Sequence, residues 1–564
     1  MDTTLSAPNY QPFLNALDTL GFCTFPILGD GEIAALSSLY QRFFAEKSIN
    51  ELYVTHNANP IADVLAINKG IKEIVSEPLR AVFPDYDYFI GHFVAKPANS
   101  TDYFSLHQDW NIVDEKRYRS YQVWIPLQFT YPDNGGIFAV AGSHKFFYNF
   151  RSGSYGIPFL KFDDKIKSLV TDVIVPPGSV YIFQNGLFHG SYPNQTNEKR
   201  IAVIANFVEK IAPTYYFHKN TEKQQTDLYE ISGETLLQHL PNLEKGIVDA
   251  DLKLVGSREL CSTDNQKVSP EILENEFKAM FGKASPKQIK QLHIAKSPEL
   301  EQKLNEDGYT VVDFLDEETV RIFKNEYNLR FGNIDRTPGR FTTLQHTNAI
   351  VKKEIHDFIV KNVDASMRKY FQDFIIPVSQ FYTKKAFTSG DIDLHADSSL
   401  LINHQLEPHY AIWVPLIDVN SGNGTLTVVP KSHRINRAFF AASLGGYHQD
   451  HLEWLRQFEV PITLKAGQAV IFDNNLLHNS TANTSAFDRL CFTFRTTHFA
   501  SQYYSFFTAN KEMGFVEISQ EKQDYYMNEQ WDGDVDKVTG KLVGTHKKGI
   551  VRVEKTELEQ ILKG

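Results

Sequence analysis

Hydrophobic and polar positions follow two different periods along this chain. The segments DGEIAALSSLYQRFF (30–44) and DEETVRIFKNEYNLRF (316–331) carry apolar residues at three- to four-residue spacing, which predicts amphipathic helices. Short β-favouring runs such as VWIPLQF (123–129), DVIVPPGSVYIF (172–183) and RIAVIANFVE (200–209) come later, separated by Gly, Pro and Asn clusters. Helices followed by short, closely spaced strands predict a mainly β fold with flanking helices, an α+β class of the sandwich or jelly-roll type.

The whole pattern is written twice. VWIPLQFTYPDNGGIFAVAGSHK from Val123 matches IWVPLIDVNSGNGTLTVVPKSHR from Ile412, and the segment that ends at Arg200 matches the one that ends at Arg489, both at an offset of 289. A chain of 564 residues is also too long for one ordinary core. The sequence therefore predicts a tandem duplication, with domains 1–284 and 285–564 forming an intramolecular pseudo-dimer; further oligomerisation stays open.

The boundary is predicted in a charged and apolar stretch that contains three Ser-Pro pairs, at Ser269, Ser285 and Ser297. Serine as N-cap and proline at the first helical position are typical of helix starts. We therefore expect a packed helical connector and not a loose tether.

Composition limits the classes of partner. The net charge of −11 argues against a general nucleic-acid or anionic-membrane binder. The cysteines, Cys23, Cys261 and Cys491, are far apart, so a disulfide framework or a thiolate zinc site is not expected. No signal-peptide pattern and no apolar run of membrane-spanning length is visible, and a cytoplasmic location is expected.

A short polar pair stands in each copy, in LHQDWNIVDE (106–115) and in LHADSSL (394–400). On a strand, alternate side chains share a face, so His107 and Asp109 would project together, as would His395 and Asp397. A single His-x-Asp is usually a surface pair. A second histidine raises its significance, because two imidazoles and one carboxylate hold non-haem Fe(II) with open coordination positions.

That histidine and an arginine recur at matched spacing. His189 precedes Arg200 by eleven positions, and His478 precedes Arg489 by eleven, across turn-rich segments. Each pair is therefore expected on adjoining strands of a hairpin or corner. An arginine there can hold the far carboxylate of a bidentate oxoacid through two parallel hydrogen bonds.

Together these motifs resemble the phytanoyl-CoA dioxygenase family of Fe(II)/2-oxoglutarate oxygenases, over most of each copy. The resemblance rests on four motifs: His-x-Asp, a tryptophan in WIPL or WVPL, the NG…AGSH or NG…PKSH turn, and the distal histidine with Ser at +2 and Arg at +11. The resemblance implies two double-stranded β-helix (cupin-like) domains. It further implies a small-molecule substrate, Fe(II), and 2-oxoglutarate and O₂ as co-substrates, with release of succinate and CO₂.

The resemblance also assigns residues. One iron would be bound by His107, Asp109 and His189, and a second by His395, Asp397 and His478. The 2-oxoglutarate carboxylate would be held by Arg200 with Ser191, and by Arg489 with Ser480. Halogenating relatives lack the aspartate, so halogenation is disfavoured. Residues expected near substrate are Trp110, Trp124, Ser398 and Trp413, although a tryptophan in an apolar strand is also typical of a core.

Three readings of function follow. The preferred one is hydroxylation of an amino acid, an amino sugar or a natural-product intermediate at two sites per chain; desaturation or cyclisation stays possible. In the second, one copy is active and the other is regulatory or a scaffold. In the third, the chain is a non-catalytic cupin-like binder. His144 and His433, in GSHK and KSHR, are expected to organise loops and not to bind metal.

Overall fold

The short strands of each copy assemble into antiparallel sheets in a computed structural model. The structure describes residues 10–44, 51–157, 159–260, 268–282, 286, 289–332, 339–388, 392–435, 451–507, 515–521, 540–547 and 555–563. The chain divides into two compact units, Met1–Gln291 and Leu292–Gly564. The domain boundary predicted at 284/285 and the helix start predicted at Ser285 lie outside the described residues.

The first unit begins with helices and continues mainly as strands. Its helices are α1 Gln11–Leu20, α2 Asp30–Phe44, α3 Thr55–Ala58, α4 Ile61–Arg80, α5 Asp164–Lys167, α6 Gly233–Leu243 and α7 Pro270–Phe281. Its strands are β1 Phe22–Pro26, β2 Tyr53–Val54, β3 Tyr86–Lys96, β4 Phe104–His107, β5 Ser120–Pro126, β6 Ile137–Ala139, β7 Thr171–Asp172, β8 Ser179–Gln184, β9 His189–Ser191, β10 Arg200–Glu209, β11 Tyr215–Asn220, β12 Gln225–Glu230 and β13 Lys253–Glu259.

The second unit repeats this order. Its helices are α8 Pro298–Glu306, α9 Glu317–Phe331, α10 Ala349–Tyr370, α11 Leu452–Leu455 and α12 Lys555–Lys563. Its strands are β14 Tyr309–Asp313, β15 Arg340–Thr342, β16 Phe374–Lys384, β17 Ile392–His395, β18 His409–Pro415, β19 Leu426–Val428, β20 Val460–Pro461, β21 Gln468–Asp473, β22 His478–Ser480, β23 Arg489–His498, β24 Tyr503–Phe507, β25 Phe515–Glu521 and β26 Lys541–Lys547.

The sheets of the two units match strand for strand. The six-stranded sheet has the order β1-β8-β5-β10-β3-β2 in the first unit and β14-β21-β18-β23-β16-β15 in the second. The four-stranded sheet has the order β4-β9-β6-β7 and β17-β22-β19-β20. In each unit one cavity is lined by residues of both sheets, which agrees with the predicted pair of double-stranded β-helix domains.

Helices cover the sheets through the apolar stripes that the sequence predicts. In α4 the buried residues recur every three or four positions, and the helix packs on β3. In the second unit Phe323 of α9 stacks on Phe492 of β23, with ring centroids 4.3 Å apart and both side chains fully buried. Burying such a side chain stabilises the fold by about 1.5–3 kcal/mol. The helices predicted at 30–44 and 316–331 are confirmed as α2 and α9.

Two of the three Ser-Pro pairs start helices as predicted. The hydroxyl of Ser269 accepts a hydrogen bond from the backbone N–H of Ile272, and that of Ser297 accepts one from Leu300. The last residue of the first unit is tied to its first strand, because the Gln291 side chain bonds both the N–H and the carbonyl of Thr24. Within the described ranges, no helix combines the length and the hydrophobicity that crossing a bilayer requires.

A buried asparagine holds the corner between the two sheets in each unit. Asn194 donates from Nδ2 to the carbonyls of Pro97 (2.9 Å) and Glu198 (2.7 Å), and its Oδ1 accepts from the Thr196 hydroxyl at 2.7 Å. In the second unit Asn483 donates from Nδ2 to the carbonyls of Lys384 and Phe487. The turn-rich segments between each His and Arg are therefore corners and not hairpins.

We expect Asn194→Ala to destabilise the first unit by about 1–3 kcal/mol, because it removes the side-chain donor to the carbonyl of buried Pro97. Urea denaturation of the full chain measures this loss. The neighbouring Gln195 is exposed, and Gln195→Ala is the control that should leave the transition unchanged. Equal stability of the two variants would contradict this role for the corner.

Candidate metal and oxoacid sites

In the first unit the structure brings together the three residues of the predicted metal set. His107 ends β4, His189 begins β9, and the two are register partners in an antiparallel pair. Their Nε2 atoms lie 3.7 and 3.8 Å from the two carboxylate oxygens of Asp109. All three ligand atoms lie within 4.8 Å of one another, a spacing that one ion can bridge.

The second unit brings its set together in the same way. His395 ends β17 and His478 begins β22, again as register partners, with ring centroids 4.4 Å apart. The ligand atoms of these two histidines and Asp397 also lie within 4.8 Å of one another. One feature differs, since Nη2 of Arg495 lies 3.2 Å from Oδ1 of Asp397.

The aspartates reach the sites by a route that the sequence did not predict. The strands end at His107 and His395, so strand alternation does not hold the pair together. Instead the backbone N–H of Asp109 donates to the Asn185 carbonyl at 3.1 Å, and Nε of Arg151 donates to the Asp109 carbonyl at 2.6 Å. The expectation that both residues lie on one strand is wrong, and the convergence of their side chains comes from tertiary contacts.

Backbone carbonyls orient the imidazoles. Nδ1 of His107 lies 2.8 Å from the Ser105 carbonyl, Nδ1 of His189 lies 3.0 Å from Leu187, and Nδ1 of His478 lies 2.9 Å from Leu476. A carbonyl accepts only from a protonated nitrogen, so each Nδ1 carries a hydrogen and Nε2 is the ring nitrogen left for a metal ion. This is the arrangement in which metal-binding histidines are held by their second ring nitrogen.

Burial and charge set the protonation states that a metal requires. Burial, with a contribution from His107, lowers the pKa of His189 to about 4, and His478 has its pKa lowered to about 4 in the same way. Burial alone would raise the pKa of Asp109, but the neighbouring His189, His107 and Arg151 outweigh it and hold that pKa at about 2. At neutral pH His189 and His478 are therefore neutral imidazoles and Asp109 is an ionised carboxylate, which are the protonation states that a metal ion requires.

The predicted oxoacid arginines lie buried on the adjoining strands. Arg200 begins β10, is 2% exposed, and lies over the Trp124 ring at 5.5 Å from its centroid. Its Nε and Nη1 are buried without a hydrogen-bond partner. Burial lowers the pKa of Arg200 to about 10, which still leaves the guanidinium charged at neutral pH.

The second arginine has a related but not identical setting. Arg489 lies between the rings of Tyr382 and Trp413, at 5.3 and 5.4 Å. Its Nη1 donates to Sγ of Cys491 at 2.7 Å, and its Nε is buried without a partner.

A lysine beside each arginine was missed by the sequence reasoning. Lys96 is the register partner of Arg200, and Lys384 is that of Arg489. Nζ of Lys96 donates to the carbonyls of Ser191 and Tyr192, while Nζ of Lys384 donates to the Ser480 hydroxyl at 3.0 Å and to the Thr481 carbonyl at 2.6 Å. Burial, together with the charge of Arg200, lowers the pKa of Lys96 to about 6. The sequence could have indicated these lysines, because Lys96 recurs in the second copy as Lys384, at an offset of 288.

The two cavities differ in size and lining. The first has a volume of about 340 Å³ and the second about 140 Å³, and each contains its full trio, its arginine and its serine, Ser191 or Ser480. Trp110 and Trp124 line the first cavity, and Trp413 lines the second. Ser398 is not among the described lining residues of the second, but its carbonyl accepts from Nη1 of Arg495 at 3.0 Å.

Two further histidines lie apart from the trios. Nε2 of His144 is 3.3 Å from the Asp18 carbonyl, and Nε2 of His433 is 3.1 Å from the Asn305 carbonyl. Each faces a glycine with positive φ, Gly21 or Gly308, where an added Cβ would lie 2.4 Å from Nδ1 of the ring. These contacts agree with a role in loop structure.

Comparison with known proteins gives one family and several relatives. The family model described as phytanoyl-CoA dioxygenase (PhyH) matches residues 34–202 and 304–491. Phytanoyl-CoA dioxygenase domain-containing protein 1 of Danio rerio is 28% identical over 155 residues, covering 26% of this chain and 52% of that protein. Its Rattus norvegicus namesake is 25% identical over 138 residues, covering 23% and 47%. The chain thus spans about half the length of the curated relatives it matches.

Solved structures with related folds are more distant in sequence. HygX from Streptomyces hygroscopicus, with nickel and 2-oxoglutarate bound, is 18% identical and covers 36% of this chain and 89% of its own, with a TM-score of 0.27. EctD from S. alaskensis with bound Fe is 17% identical and covers 37% and 78%, with a TM-score of 0.29.

We expect the metal-free chain to lose stability as the pH falls from about 6.5 towards 4. The folded chain keeps His189 neutral down to its pKa of about 4, whereas an unfolded imidazole has a pKa of about 6.5. Across this window the unfolded chain binds more protons, so acid favours unfolding. Urea denaturation at pH 7, 6 and 5 measures the slope. His189→Asn should make it shallower, and an unchanged slope would contradict the assigned burial of this ring.

Proposed function

Since the chain belongs to the phytanoyl-CoA dioxygenase (PhyH) family, we propose that it is a non-haem Fe(II)/2-oxoglutarate-dependent dioxygenase with two sites. One observation carries the proposal. In each unit a His–Asp–His trio and a buried arginine with an unpartnered guanidinium nitrogen line the same cavity. The trio is a metal-binding set, and the arginine supplies an anion-binding group beside it.

The donor set fits Fe(II). Two imidazole nitrogens and one carboxylate oxygen suit this ion and leave positions free for a chelating co-substrate and for O₂. The fixed Nδ1 atoms of His107, His189 and His478 support this fit, because each ring is held through Nδ1 and its Nε2 is left for the metal ion. In the proposed complex His107, Asp109 and His189 hold one ion, and His395, Asp397 and His478 hold the other.

The arginine fits 2-oxoglutarate. A buried guanidinium without hydrogen-bond acceptors costs free energy, so Arg200 is a site prepared for an anion. The distal carboxylate of 2-oxoglutarate can accept the two parallel hydrogen bonds that arginine offers. Trp124 and Lys96 stabilise this end of the cavity, the first by stacking on the guanidinium and the second by fixing the backbone at Ser191. Arg489, Trp413 and Lys384 have the same roles in the second unit.

Bound Fe(II) with 2-oxoglutarate and O₂ supplies the oxidation, in which one oxygen atom enters succinate, CO₂ is released, and the other atom enters the substrate as a hydroxyl group. The chain itself positions the reactants and excludes water. In the first unit many of the side chains that line the cavity are apolar, among them Leu52, Val54, Phe89, Ile90, Ile112, Leu236 and Leu240. We propose hydroxylation of a small organic molecule, of the amino acid, amino sugar or natural-product class.

The polar groups in the first cavity support recognition of a functional group on that molecule. His56 and His92 face each other with ring centroids 4.6 Å apart, and Nδ1 of each is buried without a partner. Burial lowers the pKa of His56 to about 4, so the ring is neutral at pH 7 and offers hydrogen bonds without charge.

A second candidate is a chain with one working unit and one scaffold unit. The observations on the side of this alternative are the smaller second cavity and the contact of Arg495 with Asp397, which has no counterpart at Asp109 among the described lining residues of the first cavity. A non-catalytic cupin-like binder is the third candidate, and it would hold neither 2-oxoglutarate nor two metal ions.

We expect the purified chain to bind two Fe(II) ions, and His107→Ala and His478→Ala to bind one each, because each substitution removes a ligand from one trio. Equilibrium dialysis under anaerobic conditions counts the ions. Succinate formation from 2-oxoglutarate then reports which unit turns over. His293→Ala, at an exposed histidine outside both trios, is the control.

The outcomes separate the three candidates. Activity that survives intact in one of the two ligand variants supports a single working unit. A chain that binds neither iron nor 2-oxoglutarate overturns the dioxygenase proposal.

We expect Arg200→Lys and Arg489→Lys each to weaken 2-oxoglutarate binding at one site by about tenfold or more, with metal still bound. Lysine keeps the charge but loses the two parallel hydrogen bonds. Calorimetric titration of 2-oxoglutarate into the Ni(II)-loaded chain measures this loss. Arg117, whose side chain is 76% exposed, provides the control Arg117→Lys. Unchanged affinity in all three variants would rule out the assigned role.

A further inference from the structure

An arginine in the second cavity belongs neither to the metal-binding trio nor to the oxoacid site. Arg495 lines this cavity, its side chain is 14% exposed, and Nη1 is fixed by the Ser398 carbonyl at 3.0 Å. Nη2 lies 3.2 Å from one oxygen of Asp397. A carboxylate has two oxygens, so this contact leaves the other oxygen of Asp397 for a metal ion.

The first unit has an uncharged residue at the matching place. Arg495 of β23 aligns with Asn206 of β10 at the offset of 289. Asn206 lines the first cavity, and its Nδ2 donates to Asn185 at 3.3 Å. Arg151, a buried cation beside Asp109, is already paired with Glu115 at 2.6 Å and does not line that cavity.

The exchange of Asn206 for Arg495 changes the net charge of the site that holds Fe(II) and 2-oxoglutarate. In the first unit the charges of Fe(II) and Arg200 are balanced by those of Asp109 and dianionic 2-oxoglutarate, and the further lining carboxylate, Glu244, is exposed to solvent. The second unit contains the same set and, in addition, Arg495. Among the described lining residues of the second cavity, Asp397 is the one carboxylate, so the loaded site keeps one positive charge more than the first. A buried charge without a counter-ion is costly, and a bound anion would remove that cost.

Resting on the proposed function, we infer that the second unit acts on a small substrate with an anionic group, a carboxylate, which is held by Arg495. Other exchanges in the lining support this inference. Tyr382 and Thr493 stand where the first cavity has Val94 and Ile204, so the second cavity is more polar as well as smaller. The larger, more apolar first cavity fits a neutral group instead.

The test uses the full chain with one site disabled. His107→Ala leaves the second site intact and His478→Ala leaves the first. Each chain is loaded with Mn(II), which does not turn over, and saturated with 2-oxoglutarate. Trifluoroacetate is the anionic probe and trifluoroacetamide its uncharged match. The enhancement of ¹⁹F relaxation by the paramagnetic ion reports how tightly each probe binds beside the metal.

In the His107→Ala chain we expect trifluoroacetate to bind about tenfold or more tightly than the amide, the range of one hydrogen bond to a charged group. Adding Arg495→Asn should abolish this preference, and Arg495→Lys should keep part of it. The His478→Ala chain should lack the preference, and adding Asn206→Arg there should create it. Bound Mn(II), counted in every variant, verifies that each site is folded.

The inference is overturned if trifluoroacetate binds no better than the amide, or if Arg495→Asn leaves its affinity unchanged, while Mn(II) and 2-oxoglutarate bind one per chain. If the His107→Ala chain binds neither Mn(II) nor 2-oxoglutarate, the proposed function of the second unit fails instead. The two failures are therefore distinguishable.

Discussion

Antiparallel pairing of two very short strands is the constraint on which each site depends. The last residue of one strand and the first of its partner are both histidines, and the register places them directly opposite each other. Opposed residues in such a pair lie about 5 Å apart at Cα, so two imidazoles on one face necessarily meet. A shift of one residue would turn one ring to the other face and leave no metal-binding set.

The rest of each unit can be understood as holding that register and bringing an arginine to it. The buried asparagine at the corner, Asn194 or Asn483, fixes the path from the histidine strand of the small sheet to the arginine strand of the large one. Since the arginine opens a long, doubly paired strand, its position follows from the ladder of the six-stranded sheet. The metal-binding set and the anion-binding group thus belong to different sheets and meet only because the sheets enclose one cavity.

Much of the fold and of both sites could be predicted from the sequence, because the repeat shows each motif and each spacing twice. A lone His-x-Asp pair says little about function. The same pair, the same distal histidine and the same eleven-residue step to arginine in both copies together indicate a metal and oxoacid site. The route of the aspartate could not be predicted. Asp109 is held by Asn185 and Arg151, residues 76 and 42 positions away, and no local pattern encodes such contacts. Lys96 escaped notice for a similar reason, since a single lysine in an apolar run gains its meaning only from the strand opposite.

Strand β10 and its counterpart β23 explain how the same fold can enclose two cavities with different lining residues. Alternate residues of a strand share a face, and Arg200, Ile204 and Asn206 all line the first cavity, as Arg489, Thr493 and Arg495 line the second. The first of these positions, which would hold the co-substrate, is arginine in both units, whereas the later ones differ in size and charge. Because the strand is paired on both edges, an exchange of side chains toward the cavity leaves its backbone ladder intact. Duplication could therefore preserve the metal and oxoacid end of each cavity while the substrate end of the second gained a cation.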